Sequence, residues 1–279
     1  MSGFSADWLS LRESADHASV NPGVRAAFAG YFADAETVTI ADLGSGSGSS
    51  LRALAPFLPQ RQVWRLGDHD PKLLRHARAA LAQWANSARE EGSVLHLCKA
   101  GKDIAVSFVE TDLSAGVPDA FADGADAMTS SAFFDLVSRD WIERFCAGLS
   151  ARRLAFYAAL TYDGREQWRP PHPADAAMLE AFHADQHRDK GFGPAAGPQA
   201  AEVLESALRK LDYRVIAGES PWRLGSGDAV LMRALAEGSA NAVAESGRVS
   251  SEATAGWRNA RIAAKSCLIG HRDICALPA

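Results

Sequence analysis

Hydrophobic and polar positions follow two alternating periods along the first part of the chain. Short apolar and β-branched runs, typical of buried strands, lie at 37–43, 62–68, 104–112, 124–136 and 153–160. Stretches with apolar residues at helical spacing lie at 5–33, 49–58, 70–91 and 140–152. Strands that alternate with helices in this order predict an α/β fold with a mostly parallel, doubly wound sheet.

The alternation stops after the fifth predicted strand. Residues 163–198 are rich in Pro, Gly, His and charged side chains, and they are too long for an ordinary strand-to-helix connection. We expect this segment to form a cap over the carboxyl edge of the sheet. A helix at 199–212, a strand at 213–220, a helical stretch at 227–265 and a final strand follow. The last two strands predict an antiparallel hairpin at the sheet edge.

The predicted organisation is a helical cover at 1–34 and one domain at 35–279, which carries the cap insertion 163–198 and the helical insertion 227–265. The N-terminus has no basic region followed by an apolar one, and no apolar run reaches the roughly 18 residues of a membrane span. We expect a cytoplasmic protein that does not bind a membrane. Its four scattered cysteines are expected to be reduced and mostly buried.

A glycine-rich stretch, IADLGSGSGSS, joins the first predicted strand to the next helix. Gly44, Gly46 and Gly48 permit positive φ angles and let a ligand lie against bare backbone. A P-loop is disfavoured because no lysine follows the glycines, and a dinucleotide fingerprint would have its third glycine at Ser49. The acid before the loop, Asp42, disfavours a pyrophosphate and suits a ligand with an amino group and a positive centre.

This stretch resembles motif I of the class I S-adenosylmethionine-dependent methyltransferases, whose pattern is hh(D/E)hGxGxG. RLGDHDPKLLRHA, VSFVETDLS and ADAMTSSAFFDLVS are similar to the second, third and fourth-strand motifs of that family, and they follow in the same order. The resemblance covers roughly residues 35–162. It implies a Rossmann-like methyltransferase fold of seven strands with a terminal antiparallel hairpin, and it implies S-adenosyl-L-methionine as the cofactor.

The resemblance also implies individual cofactor contacts. Asp42 is expected to hold the methionine amino group, Asp68 the two ribose hydroxyls, and Asp112 the adenine amino group. Asp70 competes for the ribose, but it precedes Pro71 and is a natural helix N-cap. The implied cofactor-binding residues are Arg12, Asp42, Gly44, Ser45, Gly46, Gly48, Asp68, His69, Asp112, Leu113 and Ser130.

Two of these assignments have plain alternatives. Arg12 lies on the N-terminal helix, which in many relatives supplies a cation to the cofactor carboxylate, and the alternative is a surface arginine on an amphipathic helix. His69 is expected either to pack over the adenine or to be a solvated loop residue.

The candidate catalytic residues lie in the cap and are Asp163, His183 and His187. The two histidines are four residues apart on a predicted helix, a spacing that can bind a metal, but no glutamate completes an HExxH motif. We therefore expect no metal. One of the three side chains could deprotonate or orient a methyl acceptor, and the alternative is two solvated imidazoles.

The net charge of −5 and the absence of a Lys/Arg block disfavour a nucleic-acid partner. The (N/D)PPY motif of many DNA and amide methyltransferases is replaced here by TSSAFF. We therefore expect methyl transfer to a small polar molecule. Two alternatives stay open, namely a non-catalytic S-adenosylmethionine-binding protein on the same fold and an NAD-dependent oxidoreductase.

Overall fold

The computed structural model describes residues 4–279, and one sheet of ten strands organises them. The strands are β1 Thr37–Leu43, β2 Arg61–Asp68, β3 Ser87–Glu91, β4 Val94–Lys99, β5 Lys102–Glu110, β6 Ala127–Ser131, β7 Ala155–Arg169, β8 Tyr213–Glu219, β9 Trp222–Leu224 and β10 Ser266–Pro278. Their order is β3-β4-β5-β2-β1-β6-β7-β10-β8, and β9 pairs with β10.

The middle of the sheet is parallel and both of its ends are antiparallel. β5, β2, β1, β6 and β7 run parallel to one another, whereas β10 runs antiparallel to both β7 and β8, and β4 runs antiparallel to β5. The chain order reverses between β1 and β6, which is where ligands bind in doubly wound sheets. The predicted fold class, including its terminal antiparallel pair, is confirmed.

Helices cover both faces of the sheet. They are α1 Ala6–Ser19, α2 Pro22–Tyr31, α3 Ser49–Leu54, α4 Pro71–Trp84, α5 Asp119–Ala122, α6 Arg139–Ala151, α7 Asp175–Gln186, α8 Ala200–Lys210, α9 Ala229–Ser246 and α10 Ser251–Ile262. The side chains of β1 alternate between two cores: Val38 and Ile40 belong to one, Ala41 and Leu43 to the other. The first core also contains residues of α2 and α9, and the second contains residues of α6 and α8. Of the helices within residues 4–279, none is long and apolar enough to cross a bilayer.

Three strands add to the seven that the sequence predicts. β3 and β4 form a hairpin at the β5 edge, so the helix expected over 70–91 ends at Trp84 instead. Asn86 fixes this change, because its N–H donates to the Cys98 carbonyl and its side chain accepts from the Ala100 N–H. Gly92, with a φ of +60°, then closes the hairpin. The third addition is the short β9.

The cap segment 163–198 contains regular secondary structure, namely the end of β7 and the helix α7. Its first residues continue β7 as far as Arg169 and pair with β10, with Tyr162 opposite His271. The remainder contains α7, which packs against α9. The predicted helical stretch 227–265 is two helices, because Gly247 ends α9 in the left-handed conformation. Cap and helical insertion therefore meet over the same part of the sheet.

The predicted N-terminal cover consists of α1 and α2. Residues 1–3 of that cover lie outside the described residues. Asn21 separates the two helices and caps α2, since its side chain accepts from the Gly23 and Val24 N–H groups and Pro22 takes the first helical position. α1 docks on α3 through Glu13, which accepts two hydrogen bonds of 2.6 Å from Arg52.

Candidate functional site

The loop between β1 and α3 requires glycine at three positions. Gly44, Gly46 and Gly48 have φ angles of +60°, +51° and +75°. A Cβ on Gly46 would lie 2.9 Å from a methyl group of Leu9, and one on Gly44 would lie 3.0 Å from the Phe133 ring. The contact at Gly46 is closer than real Cβ atoms allow and the one at Gly44 is unusually tight, so the loop presents bare backbone under α1.

Asp68 ties this loop to the end of β2. Its Oδ2 accepts the Gly46 N–H at 2.9 Å, and its Oδ1 accepts the Asp70 N–H at 3.0 Å. Asp70 instead accepts the Lys72 N–H at 2.7 Å and caps α4, as its place before Pro71 predicts. His69 is largely exposed, with Nδ1 3.4 Å from Asp68. The two acids therefore have separate positions, and Asp68 is the one at the glycine loop.

Asp42 is fully buried at the end of β1 and lacks a cation. The Thr129 hydroxyl donates to its Oδ1 at 2.6 Å, whereas Oδ2 has no hydrogen-bond partner within residues 4–279. Burial raises the pKa of this carboxyl to about 7, the Thr129 hydroxyl partly offsets the rise, and the charge of Asp68 adds to it. The nearby Ser50 hydroxyl also lowers the pKa of Asp42. It is not positioned to form a hydrogen bond with Asp42 Oδ2.

Two serines have the same property as Asp42. The hydroxyl oxygens of Ser45 and Ser130 are buried and have no hydrogen-bond partner among the described residues. Buried polar atoms without partners are uncommon in proteins. Together with Asp42 Oδ2 they suit a polar ligand that brings a positive amino group. The residues present thus fit the methionine part of S-adenosylmethionine.

The predicted adenine contacts lie just beyond β5. Asp112 is exposed, and its Oδ1 accepts the Ser114 N–H at 2.8 Å, a contact that lowers the pKa of the carboxyl. Leu113 is buried, and its carbonyl accepts the Trp141 indole N–H at 2.7 Å. Because β5 is parallel to β2, this segment follows the same edge of the sheet as Asp68.

Arg12 is not a surface arginine. It is buried, forms hydrogen bonds of 2.9–3.2 Å to Asp16, and lies 4.9 Å from the ring centre of Trp222. The Trp222 indole N–H also donates to Asp16 at 3.0 Å. Its expected contact with a cofactor carboxylate stays a prediction.

A cavity of about 130 Å³ lies at the carboxyl ends of β6 and β7. Its aromatic walls are Phe4, Tyr162, Trp168, Phe182 and Trp222. Ala132 and Leu160 also line it, and both hold positive φ angles, of +50° and +54°. Such strain in residues other than glycine persists only where the surroundings enforce it. Asp273 does so at Leu160, because it accepts the Leu160 N–H at 2.8 Å.

The polar groups of this cavity come from six residues: Arg12, Asp135, Glu166, Gln186, Ser239 and His271. Burial raises the pKa of Asp135 to about 6, and it also raises the pKa of Glu166, which accepts the Tyr162 hydroxyl at 3.0 Å. Burial and the charge of Arg12 lower the pKa of His271 to about 3.

Sequence reasoning did not single out Asp135, Glu166 or His271. Asp135 lies within the fourth-strand motif ADAMTSSAFFDLVS, and an acid at that position was the available signal. His271 lies within SCLIGHRDIC, where a histidine inside an apolar strand was the signal. The sequence contains no signal for Glu166, because this residue lies among other charged residues.

The three predicted catalytic residues lie beside this cavity and do not line it. His183 Nε2 is 3.1 Å from the Tyr162 hydroxyl. Asp163 pairs with Arg165 at 2.6 Å, and His187 Nδ1 lies 3.0 Å from the Ala195 carbonyl oxygen. The cap does contribute to the cavity, through other residues than these three. The catalytic roles of the three stay predictions.

No protein-family model matches the chain, and no curated protein matches it. Solved structures similar to it include an S-adenosylmethionine-dependent methyltransferase from Thiobacillus denitrificans in complex with S-adenosylhomocysteine, at 17% identity, 99% coverage of both chains and a TM-score of 0.46. Another, from Geobacter sulfurreducens and with the same ligand, has 17% identity, 100% coverage of both chains and a TM-score of 0.46.

A cyclopropane synthase from Mycobacterium tuberculosis has 11% identity, covers 91% of this chain and 82% of its own, and has a TM-score of 0.47. At these identities and TM-scores, we draw nothing about activity from the similarity.

Proposed function

We propose that this protein is an S-adenosylmethionine-dependent methyltransferase that acts on a small polar molecule. The observation that carries the proposal is Asp42. It is a fully buried carboxylate with one oxygen unpartnered among the described residues, and it follows the strand that leads into three positive-φ glycines. A ligand meets both requirements if its ammonium group pairs with the Asp42 carboxylate and the rest of it lies against the bare backbone of the glycine loop.

The residues divide the cofactor between them. Asp42, Ser45 and Ser130 would hold the methionine end, where their polar atoms have no other partner in residues 4–279. Asp68 would hold the ribose, because a carboxylate has about four acceptor sites and its two backbone hydrogen bonds leave room for two hydroxyls. Asp112 and Leu113 would meet the adenine.

When bound, the cofactor supplies a methyl group already activated by a sulfonium. The protein therefore needs to orient an acceptor and exclude water more than it needs a strong base. The cavity beside β6 and β7 suits both tasks, since its walls are largely aromatic and its polar side chains come from five helices and strands and from the turn after β6. Tyr162 is held at this cavity by Glu166 and His183.

A panel of thermal denaturation curves tests this proposal against the nicotinamide alternative. At a ligand concentration of a hundred times Kd, binding stabilises the folded state by about 2.7 kcal/mol, or roughly 5 °C or more for a chain of this size. We expect such a shift with S-adenosylmethionine and S-adenosylhomocysteine and none with NAD. A shift with NAD alone would contradict the proposal.

A second measurement separates an enzyme from a non-catalytic binding protein. The purified protein, supplied with S-adenosylmethionine labelled in its methyl group and a small-molecule extract, should move label into a product of low molecular mass. Asp42→Asn is the matched control, because it keeps the side-chain shape and removes the charge. Binding of the cofactor without any transfer of label would favour the non-catalytic alternative.

A further inference from the structure

The cavity at the ends of β6 and β7 contains two carboxylates that lack cations. Asp135 and Glu166 both line it, and within residues 4–279 neither forms an ion pair. Asp135 Oδ1 has no hydrogen-bond partner among these residues. Among the described residues, Glu166 accepts a hydrogen bond from the Tyr162 hydroxyl, and the neutral Trp168 side chain also lowers its pKa.

The cations near the cavity are already paired. Arg12 lines the cavity, but its guanidinium binds Asp16 with three hydrogen bonds. Lys190, whose charge lowers the pKa of Asp135, pairs with Asp185 at 3.0 Å. The positive charges around the cavity are therefore neutralised by acids outside it. The cavity's own two carboxylates, Asp135 and Glu166, have no cation paired with them among the described residues.

His271 gives an independent observation that points to a ligand. It is 5% exposed, it lines the same cavity, and its Nδ1 has no hydrogen-bond partner within residues 4–279. In the neutral tautomer that carries its proton on Nε2, the Nδ1 of this imidazole accepts one hydrogen bond. The cavity thus offers three acceptors, on Asp135, Glu166 and His271.

The walls favour the same kind of ligand. Five aromatic side chains line the cavity, and the faces of aromatic rings attract cations. A second cavity of about 170 Å³ between α7 and the helical insertion shares Glu166, Trp168, Phe182 and Ser239 with the first. Each of the two cavities, of about 130 and 170 Å³, is close to the roughly 150 Å³ that holds a benzene ring.

We propose that the methyl acceptor is a small amine, which binds as an ammonium ion to Asp135, Glu166 and His271, with its apolar part against the aromatic walls. An alkylammonium has three N–H donors, which matches the three acceptors, whereas a hydroxyl has one and a carboxylate has none. This inference rests on the proposed function and names the substrate class of that site.

The chemistry balances with the groups present. The ammonium gives one proton to a carboxylate of the cavity, and the freed lone pair on nitrogen forms the bond to the methyl carbon. The carbon–sulfur bond breaks and its electrons stay on sulfur, so the sulfonium becomes a neutral thioether. Glu166 is placed to receive the proton, and the Tyr162 hydroxyl, held by His183, orients that carboxylate.

Calorimetric titration of the full chain with matched probes tests the inference. The probes are benzylamine, benzyl alcohol and benzoate, and n-butylamine, n-butanol and butyrate, each with and without saturating S-adenosylhomocysteine. We expect at least one amine to bind at least tenfold tighter than its matched alcohol and carboxylate. Asp135→Asn and Glu166→Gln should each weaken that binding at least fivefold.

The control variant is Glu205→Gln, which changes a partly buried acid of α8 that pairs with Arg209 and Arg272 away from this cavity. It should leave amine affinity unchanged. Alcohols or carboxylates that bind as tightly as their amines, or amine binding that neither cavity variant weakens, would overturn the inference.

S-adenosylhomocysteine binding, measured in the same samples, keeps the two proposals apart. If S-adenosylhomocysteine binds and no amine is preferred, the amine inference fails and the proposed function stands. If an amine is preferred and S-adenosylhomocysteine does not bind, the proposed function fails and the assignment of an ammonium site stands. Each cavity variant is checked for wild-type affinity for S-adenosylhomocysteine, which shows that it has folded.

Discussion

The Thr129 hydroxyl donates a 2.6 Å hydrogen bond to Asp42 Oδ1 across β1 and β6, the two strands between which the chain order of the sheet reverses. The two residues are direct neighbours in the strand register. Thr129 satisfies one oxygen of a fully buried carboxylate, and the other is left for a ligand. Because burial disfavours its charged form, Asp42 lowers the stability of the folded protein, and we propose that its free oxygen binds the cofactor.

We predict that Asp42→Asn stabilises the folded protein above neutral pH. The pKa of Asp42 is raised to about 7 from 3.8, so between these values the folded state holds a proton that the unfolded state has released. Stability of the wild type therefore falls, relative to Asp42→Asn, as pH rises from about 4 to about 7, and then stays level. We expect a difference of roughly 2–4 kcal/mol at pH 8.

Urea denaturation at pH 5, 6, 7 and 8 measures this difference, and the same samples are titrated with S-adenosylhomocysteine. The variant should be more stable and should bind at least tenfold more weakly, since a charged hydrogen bond contributes about 1.5–3 kcal/mol. A variant that is less stable than wild type at pH 8, or that keeps full affinity, would refute the role given to Asp42.

Substitutions at Asp68 and Asp70 should have different effects, the first on cofactor affinity and the second on the stability of the fold. Asp68→Asn removes the charge that we propose faces the ribose, and it should weaken S-adenosylhomocysteine binding at least tenfold. Asp70→Ala removes the cap of α4 and should cost about 1 kcal/mol of unfolding free energy, with affinity unchanged. Calorimetry and urea denaturation of both variants check this, and the opposite pattern would exchange the two assignments.

Gly46→Ala should abolish cofactor binding. The added Cβ would lie 2.9 Å from Leu9 and the φ angle of +51° would be strained, so both α1 and the loop must shift. The matched control is Gly92→Ala, which has a φ of +60° with no atom within 4 Å of the added Cβ. The control should lose about 1 kcal/mol of stability and keep its affinity. Equal effects of the two variants on affinity would show that the loop contact does not matter.

The grouping of the proposed cofactor residues could be predicted from sequence because its determinants are local. Gly44, Gly46 and Gly48 follow Asp42 within six residues, and Asp68 ends the next strand, so strand order alone brings them to one edge. The cavity at the ends of β6 and β7 could not be predicted in this way. Arg12, Asp135, Glu166 and His271 are far apart in the chain, and only the pairing of β7 with β10 and the fold of α1 over the sheet bring them together.

The missed hairpin has a different cause. Residues 87–91, SAREE, contain good helix formers and continue the polar side of α4, so their local preference is helical. Pairing with β4 overrides that preference at the sheet edge, where all five residues are exposed. Tertiary pairing of this kind leaves no trace in a local pattern.

Calorimetric titration of the wild-type chain with S-adenosylhomocysteine, with Asp42→Asn alongside, tests the central claim most directly. We predict a single saturable site per chain, with a dissociation constant that rises at least tenfold in the variant. Folded wild-type protein that gives no heat of binding over a range of temperatures, or a variant that binds equally well, would contradict the claim that this loop and this acid form a cofactor site.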